Sequence, residues 1–410
     1  MTTDVVETSQ DELATPADEP LTVAGIRAAI APVLRRLADT AAERERTHDY
    51  AFDEVRALAE AGVTLLGVPR EEGGAGGSSR DVAELVIEIA RADSSVAQAL
   101  RSSIMTGNQI AARSPLPRRE TVLRRLLARD LFAGTSNERS GGASGSVNTT
   151  ARRDGDDWIV NGEKYYSTGG LYASWFSAQA QAEDGTIVRF TVPVDRPGVE
   201  LLDDFDAIGQ RLTASGTTRF TDVRVLPGEA VVAGDLVLDN PWLGSWAHLY
   251  LASVEAGIAA RVLDDAIAHV REKARPIKHS SASRSVDDPY VRQTVGEIAA
   301  RAQSARASVL LSAETLEGVR GLEGTAAREA GAAAAVHVAS TGVIAIEAAL
   351  TSAELLFDIG SGSVTNRELA FDRHWRNART VANHNPRHWK QAVTGAYLLT
   401  GEEPPTTGLF

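Results

Sequence analysis

Two short stretches concentrate side chains able to hold a flat heteroaromatic ring: Gly134-Thr135-Ser136-Asn137-Glu138 and Asn161-Gly162-Glu163-Lys164-Tyr165-Tyr166-Ser167-Thr168-Gly169. Small hydroxyl and amide groups can hydrogen-bond the edge atoms of such a ring while a neighbouring aromatic presses its face. The same residue types also build ordinary turns, and on composition alone two plain polar hairpins are the favoured reading. Other chemistries find less support. No G-x-G-x-x-G or G-x-x-x-x-G-K-[ST] stands between a strand and a helix; Gly73 to Gly77 read as a flexible loop, with a phosphate-holding nest as the alternative. His384 and His388 are four residues apart, but Pro386 between them breaks the helical face that a metal pair requires. A G-x-S-x-G serine elbow is absent.

These residues need elements to position them. From Thr22 to Ala61 apolar residues recur at helical spacing (Phe52, Val55, Leu58, Ala59), with Gly62 placed to end the last helix. Asp81 to Leu100 continues the pattern, and the helical region runs to about Asp130. The period then changes to two, in Asp157 to Val160, Tyr165-Tyr166, Ile187 to Val192 and Thr217 to Val225, which predicts strands. Asn161-Gly162 predicts a tight hairpin turn. The last segment is helical again. Asn240-Pro241 and Asp288-Pro289 each supply a cap and a first-turn proline, Thr325 to Phe357 is long and Ala-rich, and a fourth helix follows Pro386. The expected division is a disordered tail over 1–20, a helical domain over 21–130, a β domain over 131–236 and a four-helix bundle over 237–410.

Composition limits the rest. The chain has 410 residues and a formal net charge of −13, which argues against a protein that grips nucleic acid through its phosphates. Its cysteine count is zero, which removes disulfides, thiolate metal sites and cysteine nucleophiles, and agrees with a reducing cytoplasm. The start, MTTDVVETSQDELATPADEP, lacks the basic and apolar regions of a secretory signal. Ala330 to Leu350 is interrupted by His337 and Glu347, so it reads as a buried bundle helix and not as a membrane span.

The order helical domain, β domain, helical bundle, with NGEKYYSTGG, the later IGQRLTASGTTRFTDVRV and FDRHWRNARTVANHNP, resembles the acyl-CoA dehydrogenase superfamily over about residues 25 to 400. The implied fold class is α+β and multidomain, with an N-terminal helical domain, a central β-barrel domain and a C-terminal four-helix bundle. KARP (Lys273 to Pro276), DDPY (Asp287 to Tyr290) and HWRNART (His374 to Thr380) most resemble the dibenzothiophene monooxygenase branch, whose members take reduced flavin from a separate reductase. A dehydrogenase would need a carboxylate base. The resemblance aligns Asn385 with one usual glutamate and a position near Ala247 with the other, and neither can remove a proton. Arg271 to Pro276 replaces the R-x-x-Q-F-G that helps hold the adenine of FAD, which favours FMN, with FAD as the alternative.

By the same resemblance, FMNH2 and O2 would form a C4a-hydroperoxide that oxygenates the sulfur or nitrogen of a small molecule, with His384 as the donor near its distal oxygens. Tyr166 and Thr168 would lie against the ring, Ser136 and Asn137 at its edge, Asn385 beside it and Arg275 on the phosphate, where a surface ion pair is the alternative for Arg275. A homotetramer, a flavin reductase partner and no membrane partner are also implied. Three positions depart from the branch: Val381 and Leu100 to Met105 lack a histidine, and Gly134 replaces an asparagine. The rivals are an acyl-CoA dehydrogenase with a base relocated to Glu255, and a flavin-free helical binding protein.

Overall fold

The computed structural model describes residues 20–112, 119–139, 147–232 and 241–405. The expected tail, apart from Pro20, and the Asn240 cap lie outside them. The N-terminal helices are α1 (Val23–Thr47), α2 (Phe52–Glu60), α3 (Ser79–Ala92), α4 (Ser94–Ala99), α5 (Arg101–Ala111) and α6 (Arg119–Leu127). The side chain of Ser78 accepts from Asp81 N, and Asp81 answers on Ser78 N, so α3 starts on a capping box. The helix expected through Leu100 is broken at Asp93. That residue is extended, caps α4 by accepting from Ser95 N and Val96 N, and meets Arg44 Nη2 at 2.5 Å. Local side-chain bonding overrides the apolar periodicity there.

The middle of the chain forms β1 (Phe132–Gly134), β2 (Thr150–Asp154), β3 (Asp157–Lys164), β4 (Trp175–Ala182), β5 (Ile187–Pro193), β6 (Val199–Leu201), β7 (Thr218–Val225) and β8 (Ala230–Val232). They make one eight-stranded sheet in the order β6-β7-β3-β2-β4-β5-β8, with β1 parallel to β4. Its inward residues, including Val160, Phe176, Val188, Phe190 and Phe220, form a core of their own. The hairpin expected at Asn161-Gly162 is instead a bulge inside β3. Asn161 bonds Asp222 across the strands (2.8 and 2.9 Å), and Gly162 lets Thr149 approach where a Cβ would stand 2.7 Å away. The tight turn falls at Gly155, between paired Asp154 and Asp157. Tyr165 and Tyr166, expected in a strand, lie just past the end of β3.

The C-terminal helices are α7 (Pro241–Glu272), α8 (Pro289–Glu317), α9 (Gly324–Leu355), α10 (Asp372–Ala382) and α11 (Arg387–Thr400). Four were expected and α10 is additional. Its buried face carries Arg373, His374 and Asn377, so a search for apolar spacing passes over it. The segment Gly324–Ile359 is long and apolar enough to cross a membrane, yet 61% of its most apolar window is buried, against α7, α8, α10 and α11.

Glu255 on α7 is fully buried, and neither carboxylate oxygen has a hydrogen-bond partner among the described residues. Burial raises its pKa well above the ordinary 4.5, against a smaller opposing pull from Arg379. A raised folded-state value means that its contribution is full below pH 4.5 and is lost as pH rises, because the unfolded chain ionises first. Glu255→Leu should therefore stabilise the protein by about 1–3 kcal/mol at pH 8 and by less at pH 4, as read from thermal unfolding at the two pH values.

Candidate active site

The two chemistry-bearing stretches are tied by a buried ion pair. Lys164 ends β3 with its side chain fully buried, and its Nζ meets Glu138 Oε1 at 2.5 Å. Glu138 also accepts from Asn148 N (2.8 Å), Thr149 N (3.0 Å) and Thr149 Oγ1 (2.8 Å). Burial alone would raise this carboxyl, but the ammonium and the three N–H and O–H donors outweigh it and hold the pKa at about 2. The stretches then run side by side: Tyr165 N donates to Asn137 O (3.0 Å) and Thr135 Oγ1 to Tyr165 O (3.1 Å). Ser136 and Asn137 are exposed, and their side chains have no partner among the described residues.

Beyond β3 the backbone turns sharply. Tyr166 has φ +63°, an uncommon conformation for a bulky residue, and its ring is 54% exposed beside Tyr165 and Phe205. Thr168 N donates back to Tyr166 O (2.8 Å), and Thr168 Oγ1 accepts from Ser215 Oγ (2.9 Å). Gly169 follows at φ +83°, where a Cβ would stand 2.5 Å from Ala99 O. A glycine is thus required for this loop to seat on the junction of α4 and α5.

A second group of residues comes from the turn between α10 and α11. α10 is locked to α7 by Asp265, which accepts from Arg373 Nη2 (2.9 Å) and His374 Nε2 (2.8 Å) and lies 2.9 Å from Arg261 Nε. Burial lowers the His374 pKa to about 4, so a neutral ring donates to a carboxylate that these partners keep ionised. Asn377 joins the domains: its Oδ1 accepts from Gln210 N (2.6 Å), and its Nδ2 donates to Ser94 Oγ (3.1 Å). At Gly209 a Cβ would lie 2.1 Å from Arg376 O, so the loop before β7 presses backbone to backbone on α10.

So held, α10 delivers His384. Its Nδ1 is 2.6 Å from Asn385 Oδ1 and its Nε2 is 2.8 Å from Arg101 Nη1. A guanidinium can only donate, so Nε2 accepts and the ring proton sits on Nδ1, facing Asn385. The imidazole is solvent-exposed, yet it is surrounded closely enough that lost solvation, followed by the Arg101 charge, lowers its pKa to about 4. Lys390, in the first turn of α11, also acts on it; Lys390 Nζ is 2.7 Å from His248 Nδ1, and burial brings that ammonium to about 8.

Ser136, Asn137, Tyr166 and Thr168 thus lie on the two segments tied by the Lys164–Glu138 pair, and the loop after them seats through Gly169 on Ala99, two residues before the Arg101 that meets His384. Arg275 lies apart from them. It is exposed beyond the far end of α7, about 36 Å along the helix from His248, without hydrogen bond or ion pair among the described residues. Arg101, Lys390 and His248 were not singled out in the sequence. The only signal for Arg101 is an arginine among apolar and small residues in AQALRSSIM. Gly134 has a physical account: a Cβ there would lie 2.3 Å from Ser177 O, so no asparagine fits.

The edge fits a flavin ring. It offers an exposed aromatic face, unpartnered amide and hydroxyl groups, and a threonine hydroxyl within one loop. The chain matches the acyl-CoA dehydrogenase N-terminal domain over residues 26–130, the middle domain over 132–223 and the C-terminal domain over 249–388. It is 30% identical over 379 residues to a dibenzothiophene monooxygenase of Rhodococcus qingshengii, covering 89% of this chain and 91% of that one. It is 28% identical over 376 residues to the probable FMNH2-dependent monooxygenase SfnC of Pseudomonas putida, covering 90% and 93%. The FMN-bound structure of TdsC from Paenibacillus sp. A11-2 superposes with a TM-score of 0.85 at 26% identity, covering 94% of this chain and 100% of that one.

Removing one partner of the buried pair leaves the other charge stranded. Lys164→Met should cost about 3–5 kcal/mol in a denaturant titration at pH 7. Because the Glu138 pKa is depressed, the pair's contribution is in place above the ordinary carboxylate value and lost as pH falls toward about 2. The gap between parent and variant should close over that acid range.

Proposed function

The chain belongs to the acyl-CoA dehydrogenase superfamily, in its dibenzothiophene monooxygenase-like branch, and from that membership we propose a two-component flavin-dependent monooxygenase. It takes FMNH2 from a separate reductase and places one oxygen atom of O2 on sulfur or nitrogen of a small organic substrate. When bound, the reduced flavin supplies two electrons to O2, so that one oxygen goes to the substrate and the other leaves as water.

One observation carries this reading: the loop after β3 seats on the α4–α5 junction, whose Arg101 meets His384 in a turn that carries Asn385 and, among the described residues, no carboxylate. Glu255, the one relocated base considered, is sealed in the core and touches no open surface. Tyr166 and Thr168 would lie against the ring, and Ser136 and Asn137 would meet its edge atoms. Asn385 would hold the imidazole of His384 with its proton on Nδ1, so that Nε2 serves the reaction as an acceptor, in place of the donor expected from the resemblance. The contact of Gly169 with Ala99 closes the seam between helices and sheet against water.

The expected homotetramer also belongs to this reading. Leu311, Ile344, Trp389, Leu398 and Leu399 leave an exposed apolar face on α8, α9 and α11, suited to a second copy. Arg275 could meet a flavin phosphate only across such an interface. A cytoplasmic location accords with the absence of cysteine.

The test is stopped-flow absorbance of protein mixed anaerobically with FMNH2 and then with oxygenated buffer. Reoxidation slower than that of free flavin, with an extra spectral phase, is expected; reoxidation at the free rate would remove the reading. His384→Ala should raise hydrogen peroxide release per substrate consumed by about tenfold or more while FMN affinity stays within a few-fold, as measured by a peroxide assay and fluorescence titration. Unchanged coupling would take His384 out of the reaction.

A further inference from the structure

Arg101 is the residue of this site that the flavin reading leaves without a task. It opens α5, is partly buried, and spends its one hydrogen bond on the neutral Nε2 of His384 at 2.8 Å. Among the described residues no carboxylate bonds to it or pairs with it. The ionisable group that acts on it besides is the phenol of Tyr250, which donates to Ala97 O and is kept protonated by burial. Other arginines set into the fold are handled differently. Arg44 meets Asp93 at 2.5 Å, Arg376 meets Glu45 at 2.7 Å and Arg373 meets Asp265 at 2.9 Å.

A partly buried arginine that meets no carboxylate among the described residues keeps N–H donors open for an anion from outside. The neighbourhood favours one. Lys390 is the second cation acting on the same imidazole, and no carboxylate does so. In a chain whose net charge is −13, this is a local cationic spot that focuses small anions. The position also suits a substrate. Arg101 lies two residues from Ala99, on which the Thr168-Gly169 loop sits, and a group held by its fork would lie beside the His384 ring that the fork now touches.

We propose that Arg101 docks an anionic substituent of the substrate, so that the enzyme acts on small sulfur- or nitrogen-containing molecules carrying a carboxylate, sulfinate or sulfonate. This rests on the monooxygenase reading for the reaction but on Arg101 for the substrate class. The anion takes over the guanidinium N–H that His384 Nε2 now accepts, and so frees that ring nitrogen when substrate arrives. A flavin phosphate presents the same chemistry to an arginine, and the experiment must separate the two.

Isothermal titration of flavin-free and FMN-loaded protein with benzenesulfinate and with neutral methyl phenyl sulfoxide makes the test, for the parent, Arg101→Gln and Arg101→Lys. The parent should bind the sulfinate about ten- to a hundredfold more tightly than the sulfoxide. That preference should vanish in Arg101→Gln and survive in part in Arg101→Lys, with FMN affinity of both variants within a few-fold of the parent. Arg101→Lys keeps the test open if the glutamine variant does not fold. Equal binding of the two probes by the parent, or a preference that persists in Arg101→Gln, overturns the proposal. So does a loss of FMN affinity beyond tenfold with riboflavin affinity unchanged, which would assign Arg101 to the flavin phosphate. Reoxidation of FMNH2 by the parent without any anion tests the monooxygenase reading separately, because sulfinate selectivity is read in flavin-free protein.

Discussion

The buried pair of Lys164 and Glu138 is the contact on which the site depends. An ammonium with no exposed surface is tolerable only against a carboxylate that is itself fully satisfied, and Glu138 is satisfied by three further donors from Asn148 and Thr149. The pair thereby ties the end of β3 to the segment after β1. Everything offered to a ring follows from that tie: Asn137 and Tyr165 share a backbone hydrogen bond, Tyr166 is turned into a left-handed conformation, and Thr168 is drawn back toward it. The charges contribute position more than stability.

A second constraint brings the other half. The loop before β7, α4 and α10 converge where Asn377 Oδ1 accepts from the backbone N–H of Gln210 and Ser94 Oγ accepts from the side-chain amides of both Asn377 and Gln210. Together with Asp265, which fastens α10 to α7, this junction ties α10, the helix that precedes His384, to the N-terminal helices and to the loop before β7. Gly209 and Gly169 work alike: each removes a Cβ that would separate the domains by the width of a methyl group. Rigid elements from different parts of the chain therefore hold the site, which is what chemistry sensitive to sub-ångström placement requires.

Charge is distributed unevenly. The acidic surface suits solubility, while the recess beside His384 collects Arg101 and Lys390 and lacks a carboxylate acting on the imidazole. A dehydrogenase needs a base there, and this chain places Asn385 instead, where the amide fixes a tautomer. On the reading proposed above, the same scaffold would serve a different reaction through a change of few side chains, because fold and reaction are separable.

Much of the architecture was legible in the sequence, since hydrophobic period is local. Repeats of 3.6 and 2 residues marked the helices and strands, and Asp288-Pro289 marked the start of α8. Periodicity failed where polar contacts replace apolar ones. Asp93 breaks a helix to meet Arg44, α10 buries arginine and histidine, and Asn161-Gly162 bulges within a strand because Asp222 and Thr149 lie opposite. The residue types of the two candidate ring-binding segments, the asparagine at position 385 and the absence of cysteine were determined by the sequence alone. That Lys164 pairs with Glu138, that Arg101 reaches His384 across 283 positions of chain, and that Arg275 stands apart were decided only by tertiary structure. The physical reason is that a charge's role depends on what meets it after burial, and those partners come from segments whose spacing in sequence carries no trace of their contact.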